Sequence, residues 1–162
     1  FTLMDGIGST FMNMAIMGIC CTTYILLIGG DLSGPTVGAI LTIFGFASFG
    51  VHLKNYLPCL IGVYLSTTLK IYTVDMPSVQ LAAIFCAGIA PIAGQFGLVA
   101  GIIAGMLHVS LVMSTGAWYS GLNLYNNGFA AGFVAIIMIP LLESFMTRFQ
   151  GKSINKRQVS RR

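Results

Sequence analysis

Charge is what this sequence has least of. Of its 162 residues, 7% are charged and 56% are apolar, where soluble domains carry about 25% charge. So few charges cannot cover a water-facing surface, which excludes an ordinary soluble domain and leaves an integral membrane protein. Acids are the scarcest, four Asp and Glu against eight Lys and Arg, for a formal net charge of +4. Arg148, Lys152, Lys156, Arg157, Arg161 and Arg162 crowd into the last fifteen positions. Residues 1–147 keep only Lys54 and Lys70 against Asp5, Asp31, Asp75 and Glu143. The basic balance belongs to a tail, so nucleic-acid binding, which needs Lys and Arg spread over a folded face, is a poor reading.

Two histidines, His52 and His108, and four cysteines are too few and too scattered for a metal or redox centre. Cys20 and Cys21 are adjacent, Cys59 and Cys86 stand alone in apolar runs, and no CxxC occurs. Convergent ligand spacing is missing, so no metal and no cofactor is expected, and the thiols read as small hydrophobes. No GxSxG, P-loop or HExxH is present, and nothing argues for an enzyme. The chain opens on Phe1 with neither an initiator Met nor a signal-peptide pattern. We therefore expect it to be part of a longer protein.

What is abundant is apolar length. A spanning helix needs about 20 mainly apolar residues. Thr10 to Ile28 qualifies and ends at Gly29-Gly30-Asp31. Tyr56 to Lys70 is a short span with Pro58 at its opening turn, where proline is acceptable. Val79 to Ala93 is a third, broken by Pro91 and Gly94. Phe96 to Thr115 is a clean fourth, and Phe129 to Met146 a fifth, interrupted by Pro140. Ala39 to Phe49 is too short to cross and too apolar for a loop, and reads as a re-entrant half-helix, which membrane depth tolerates only where protein or water surrounds it. The expected fold is all-α, a polytopic transmembrane helical bundle of about five spans and one re-entrant half-helix over residues 1–147. A frayed basic tail follows over residues 148–162. The positive-inside rule puts that tail in the cytoplasm, where anionic headgroups attract it weakly. The odd span count then puts the start of the chain on the outer side. Small residues four apart, Ala93, Gly97, Gly101 and Gly105, widened by Ala100 and Ala104, predict close helix packing.

Two polar stretches interrupt this pattern. In Asp31-Leu-Ser-Gly-Pro-Thr-Val-Gly38, Asp31, Ser33 and Thr36 can cap a helix start and Pro35 suits its first turn. A half-helix beginning inside the protein would turn its positive end toward a solute; the other reading is a well-capped loop helix. In Gly121 to Gly132, Asn123, Asn126 and Asn127, with Tyr125 among them, lead into the last span. Amides can replace water around a neutral polar solute, or they can tie an irregular helix start to its neighbours. Asn13 is a further amide inside the first span, and His108 lies in mid-span, where it either faces a pathway or bonds a neighbouring helix. His52 and Lys54 fit a short interfacial loop, and Glu143 an interfacial anchor.

The runs SGPTVGAILTIFGFASFGVHLKN, AGIAPIAGQFG and GLNLYNNGFAAGFVA resemble a bacterial, mostly Firmicutes, family of polytopic membrane proteins of unknown function. The resemblance covers most of residues 8–142 and implies the C-terminal half of a longer chain. More distantly, LNLYNNGFAAGF is similar to a helix start in urea transporters, through Tyr125, Asn126 and Gly128, and SGPTVGAILT is similar to their re-entrant segment, with Thr36 in the place of its threonine. That likeness implies two inverted five-span repeats around a central pore, often in a trimer.

Taken together, these features lead us to expect a bacterial inner-membrane channel or transporter domain for a small polar, uncharged solute. Asn13, Thr36, His108, Asn123, Tyr125, Asn126 and Asn127 are the candidate pathway residues. Its partners would be the lipid bilayer, that solute, and either the missing N-terminal half or further copies of the chain, with no nucleic acid. The competing class is a structural or accessory membrane protein whose polar runs only satisfy broken helices.

Overall fold

A computed structural model describes residues 6–69, 72–120 and 123–159, with side chains described as far as Arg148. These residues form an all-helical bundle: α1 (Ile7–Leu27), α2 (Gly34–Phe46), α3 (Leu53–Leu69), α4 (Pro77–Phe85), α5 (Ala90–Phe96), α6 (Leu98–Thr115) and α7 (Asn123–Val159). Among the described residues four segments are long and apolar enough to cross a membrane: Ile7–Leu27, Pro77–Phe96, Leu98–Tyr119 and Asn123–Arg148. The fifth expected span, α3, has 17 residues and includes Lys54 and Asn55. Pro77–Phe96 is the most enclosed of the four candidate spans and Asn123–Arg148 the least, so the bundle is built around the former.

Contacts fix the direction of each helix. Asn13 meets Ala47 and Val51, and a Cβ on Gly18 would touch Phe44, so α2 runs back along α1. Gly62 packs on Ile102 and Gly105, and Gly101 packs on Pro58 and Ala93, so α3 and α6 lie side by side and parallel. The α6–α7 pair is antiparallel, Thr115 and Asn126 meeting near its closed end. Six legs therefore alternate, with Pro77–Phe96 counted as one. The start of α1 and the exit of α7 consequently share one end of the bundle, rather than lying on opposite sides as the odd span count implied. Helix α2 also departs from the re-entrant expectation. With 13 residues and a three-residue 3-10 turn after it, it reaches about 24 Å at 1.5 Å per residue. It ends beside Asn13 rather than returning to the end where Asp31 lies, so Asp31 and Lys54 sit toward opposite ends of α1.

Local chemistry explains the ends and breaks. Ser33 caps α2, its hydroxyl accepting from the Thr36 N–H at 3.4 Å. The turn into α3 uses Gly50 at φ 108°, a left-handed value that glycine alone adopts without strain. Asn55 cinches that turn by accepting from the His52 N–H and donating to the Gly50 carbonyl. The third span does break, but ahead of Pro91. A 3-10 turn at Cys86–Ile89 separates α4 from α5, and Pro91 occupies the first turn of α5, where its missing N–H is harmless. Pro140 does not interrupt the last helix, which runs continuously through it, and Pro58 lies inside α3 rather than at its start. The tail is likewise helical as far as Val159 rather than frayed. Its last residues, and the Lys70-Ile71 and Gly121-Leu122 pairs, lie outside the described residues.

The small-residue stripe does its packing between α3 and α6. A Cβ on Gly105 would collide with the Cys59 carbonyl, and one on Gly62 with the Ile102 carbonyl. The two backbones touch with only hydrogens between them, in the arrangement of Cα–H···O contacts. Gly97 leaves the stripe and forms the turn into α6 at φ 89°. Gly105→Ala should therefore lower stability by about 1–3 kcal/mol through overpacking. Gly128→Ala, whose Cβ would meet nothing within 4 Å, should leave it unchanged or raise it, since alanine is the better helix former. Thermal melts of both variants in detergent check this, and equal melting would refute the assignment.

Candidate functional site

The two polar stretches chosen from sequence come together in space. A cavity of about 420 Å³ lies between the starts of α2 and α7 and the flank of α4. Pro35, Gly38, Ala39 and Thr42 line it from α2, and Leu81 and Phe85 from α4. Asn123, Leu124 and Tyr125 close it from the first turn of α7. Among the described residues no lining residue is charged. The wall is mostly carbon, with the Asn123 amide and the hydroxyls of Thr42 and Tyr125 as its polar side chains.

The remaining candidates stand around this cavity in other roles. Thr36 is buried and shares a 2.9 Å hydroxyl contact with Ser33, so it helps cap α2. Asn13 donates both amide hydrogens, to the Ala47 carbonyl at 2.8 Å and the Val51 carbonyl at 2.7 Å. It thereby holds the end of α2 against α1. Asn126 and Asn127 sit within the first turns of α7 rather than ahead of it, 2% and 1% exposed, and both face α6. The Asn126 oxygen accepts from the Thr115 hydroxyl at 2.6 Å, and its nitrogen donates to the Val112 carbonyl at 2.8 Å. The Asn127 oxygen lies 3.2 Å from Nε2 of His108, and its nitrogen donates to the Asn123 carbonyl at 2.8 Å. A ladder of amide contacts thus joins α6 to α7 directly behind the cavity wall.

Sequence reasoning passed over several working side chains. Tyr56 is fully buried and donates to the Ala83 carbonyl at 2.9 Å, just ahead of the break in the central helix. Cys86 donates to the same carbonyl at 3.1 Å, and Cys59 reaches the Ile89 carbonyl at 3.8 Å. The thiols therefore do more than fill space: they donate to carbonyls on either side of the break. Gln80 extends its amide to the Asp75 carbonyl at 3.1 Å, against Gly30. A tyrosine at the head of a short span, three residues before a cysteine, was the available signal for the first of these.

A second cleft, of about 480 Å³, lies at the other end of the bundle. His52, Lys54 and Asn55 line it from the α2–α3 turn and the start of α3, and Ala93, Gly94 and Gly97 from α5 and the turn after it. The two halves of the central helix thus each face a different cavity, with the Cys86–Ile89 break between them. Among the described residues no group of three or more His, Cys, Asp or Glu could hold a metal ion.

Aromatic residues gather near the cavity end. Trp118 and Tyr119 pack on Phe129, with ring centroids 6.4 and 5.8 Å apart, and Trp118 is largely exposed. Tryptophan and tyrosine concentrate where a bilayer meets water, and the exposed Trp118 here suits such a boundary.

The amide ladder makes a quantitative expectation. Asn126→Leu keeps the volume but strands the Val112 carbonyl and the Thr115 hydroxyl, costing about 1–3 kcal/mol. The melting temperature of the variant in detergent should fall, whereas Tyr125→Ala, at a side chain 66% exposed, should melt like the parent. An Asn126→Leu variant as stable as the parent would show that the ladder carries no load.

No curated protein and no solved structure matches this chain. Residues 1–144 match one family across nearly the whole bundle, and the chain belongs to that family, described as Protein of unknown function (DUF1576).

Proposed function

We propose that this membrane domain carries a small uncharged solute, along a route that uses the discontinuous central helix. The observation that supports this is the pairing of that helix with two cavities. Its first half faces the cavity at one end, its second half faces the cleft at the other, and the break lies between them. Broken helices with cavities on either side are the usual framework for moving a solute across a bilayer, because irregular backbone is tolerated at depth where it lines a cavity. The uncharged lining of the first cavity argues against an ion as cargo. Helices α2, α4 and α7 all begin toward this end, so their positive dipole ends favour a solute that presents a hydrogen-bond acceptor. The distant likeness to urea transporters, through Thr36, Tyr125, Asn126 and Gly128, points to the same class of cargo.

A structural role is the second reading, and the amides favour it. Asn13 and Asn126 bond neighbouring elements, and Asn127 bonds His108 on α6 and Asn123 within its own helix. Under that reading the cavities are packing defects and no solute moves.

Gly38 separates the two. It lines the first cavity, and a Cβ there would meet nothing within 4 Å. Gly38→Phe should fill the cavity without disturbing the helices. With the full-length protein in proteoliposomes, we expect flux of urea or glycerol to fall at least tenfold, equivalent to about 1.4 kcal/mol in the barrier, while the melting temperature holds. Flux that is absent in the parent, or unchanged in the variant for every neutral solute tried, would overturn the transport reading.

Orientation belongs to the same proposal. Lys54 and Arg148, where the basic tail starts, lie at one end of the bundle, and Asp31 and Asp75 at the other. The positive-inside rule assigns the basic end to the cytoplasm of a bacterial inner membrane. A reporter fused after Arg162 should be active only when it reads the cytoplasm, and activity confined to the periplasm would reverse the assignment.

A further inference from the structure

Positive charge collects in the second cleft, and the solute route makes no use of it. Lys54 and His52 line one wall of this cleft, and Ala93, Gly94, Gly97 and Leu98 line the other. Helices α3 and α6 are parallel and both begin here. The positive ends of two backbone dipoles, from helices of 17 and 18 residues, therefore converge on one space. Lys54 stands in the first turn of α3, where a cation opposes the dipole rather than complementing it. Helix α6 starts at Gly97 with no side chain capping it, and its first residue, Leu98, lines the cleft. Among the described residues no carboxylate lines it. Asp31 and Asp75 lie at the other end of the bundle, and Glu143, exposed on α7, is not among the lining side chains.

Like charges gathered without a counter-charge repel one another, and an anion seated among them relieves that repulsion. A volume of about 480 Å³ is ample for a phosphate group, and buried Asn55 adds an amide to the lining. The rim of the cleft distinguishes a lipid headgroup from a free phosphate. Along α3 the exposed face runs from Lys54 through Leu57, Ile61 and Leu65, which follow one another at helical spacing. Across the cleft Leu98 and Val99 are exposed as well. One cation at the head of an apolar strip matches an amphiphile, whereas a free phosphate gains nothing from the strip.

We infer that this cleft is a headgroup site for an anionic phospholipid. Its phosphate oxygens accept from the Lys54 ammonium and from the N–H groups at the head of α6. An acyl chain then lies along the exposed face of α3, over Leu57 and Ile61. Basic pockets between spanning helices hold acidic headgroups in this way. The site stands apart from the solute route, although a headgroup seated there would occupy one mouth of it.

Native mass spectrometry of the full-length protein, released from detergent containing equal phosphatidylglycerol and phosphatidylcholine, tests this. One phosphatidylglycerol should be retained in preference to phosphatidylcholine. Lys54→Gln should weaken that retention about fivefold, the worth of one lysine at an anionic surface, and Lys54→Arg should restore most of it. Arg148→Gln removes a cation at the same end but outside the cleft, and should leave retention unchanged. Both side chains are exposed, so lipid-free melting of these variants should match the parent. Gly94→Leu gives a second route to the same answer if Lys54→Gln folds poorly. A Cβ there would meet Asn55 at an ordinary 3.6 Å, and the larger side chain should exclude the headgroup with Lys54 still in place. Displacement of the lipid by glycerol phosphate would make the ligand a soluble phosphate ester and overturn the lipid assignment. Equal retention of the two lipids, or a loss in Arg148→Gln as large as in Lys54→Gln, would overturn the site.

Discussion

The bundle depends on one contact, the meeting of bare backbone between α3 and α6. In lipid there is no hydrophobic gain from bringing two apolar helices together, so association rests on close packing and polar contacts. Gly62 and Gly105 let the two axes approach until each carbonyl faces the other's Cα hydrogens. That contact locks two helices that are not neighbours in sequence. The connecting leg, Pro77–Phe96, is thereby held beside both, and it becomes the enclosed centre of the fold. Its burial is what allows it to be broken.

A second constraint follows from the first. A broken helix inside a membrane frees carbonyls that water cannot reach, and each must be met by the protein. Tyr56, Cys59 and Cys86 donate to carbonyls on either side of the break. Asn13 does the same for the end of α2, and Asn55 for the turn after it. The same economy explains why so many of the polar side chains are neutral. An amide or hydroxyl can satisfy a carbonyl at depth without the desolvation cost that a charge would carry.

Much of this was legible in the sequence. The dearth of charge and the apolar runs make a helical membrane bundle the expected fold, and the two polar stretches that stand out in the sequence are the ones that line one cavity. Directions and breaks were harder to read. Whether Ala39 to Phe49 turned back or ran alongside α1 depended on the partner that Asn13 found 34 residues away, and no local pattern encodes that. Pro91 suggested a break at the right helix, but the chain parts a turn earlier, at Cys86–Ile89, where buried thiols and Tyr56 bond the flanking carbonyls. Pro140 had the opposite outcome, because a long helix absorbs one missing N–H without parting. Asn126 and Asn127 were recognisable as unusual, yet an amide reads the same in a sequence whether it faces a solute or a neighbouring helix.

The parallel pairing of α3 and α6 has a consequence for how the chain is made. Helix α3 is short, carries Lys54 and Asn55, and contains Pro58, so it has little tendency to leave the insertion machinery for lipid unaided. The surface that shelters it belongs to α6, which the ribosome delivers only after the whole central leg has been synthesised. Biogenesis must therefore keep α3 waiting in a protected setting while two further segments emerge. Its final placement is a late event set by its partner rather than by its own affinity for the bilayer.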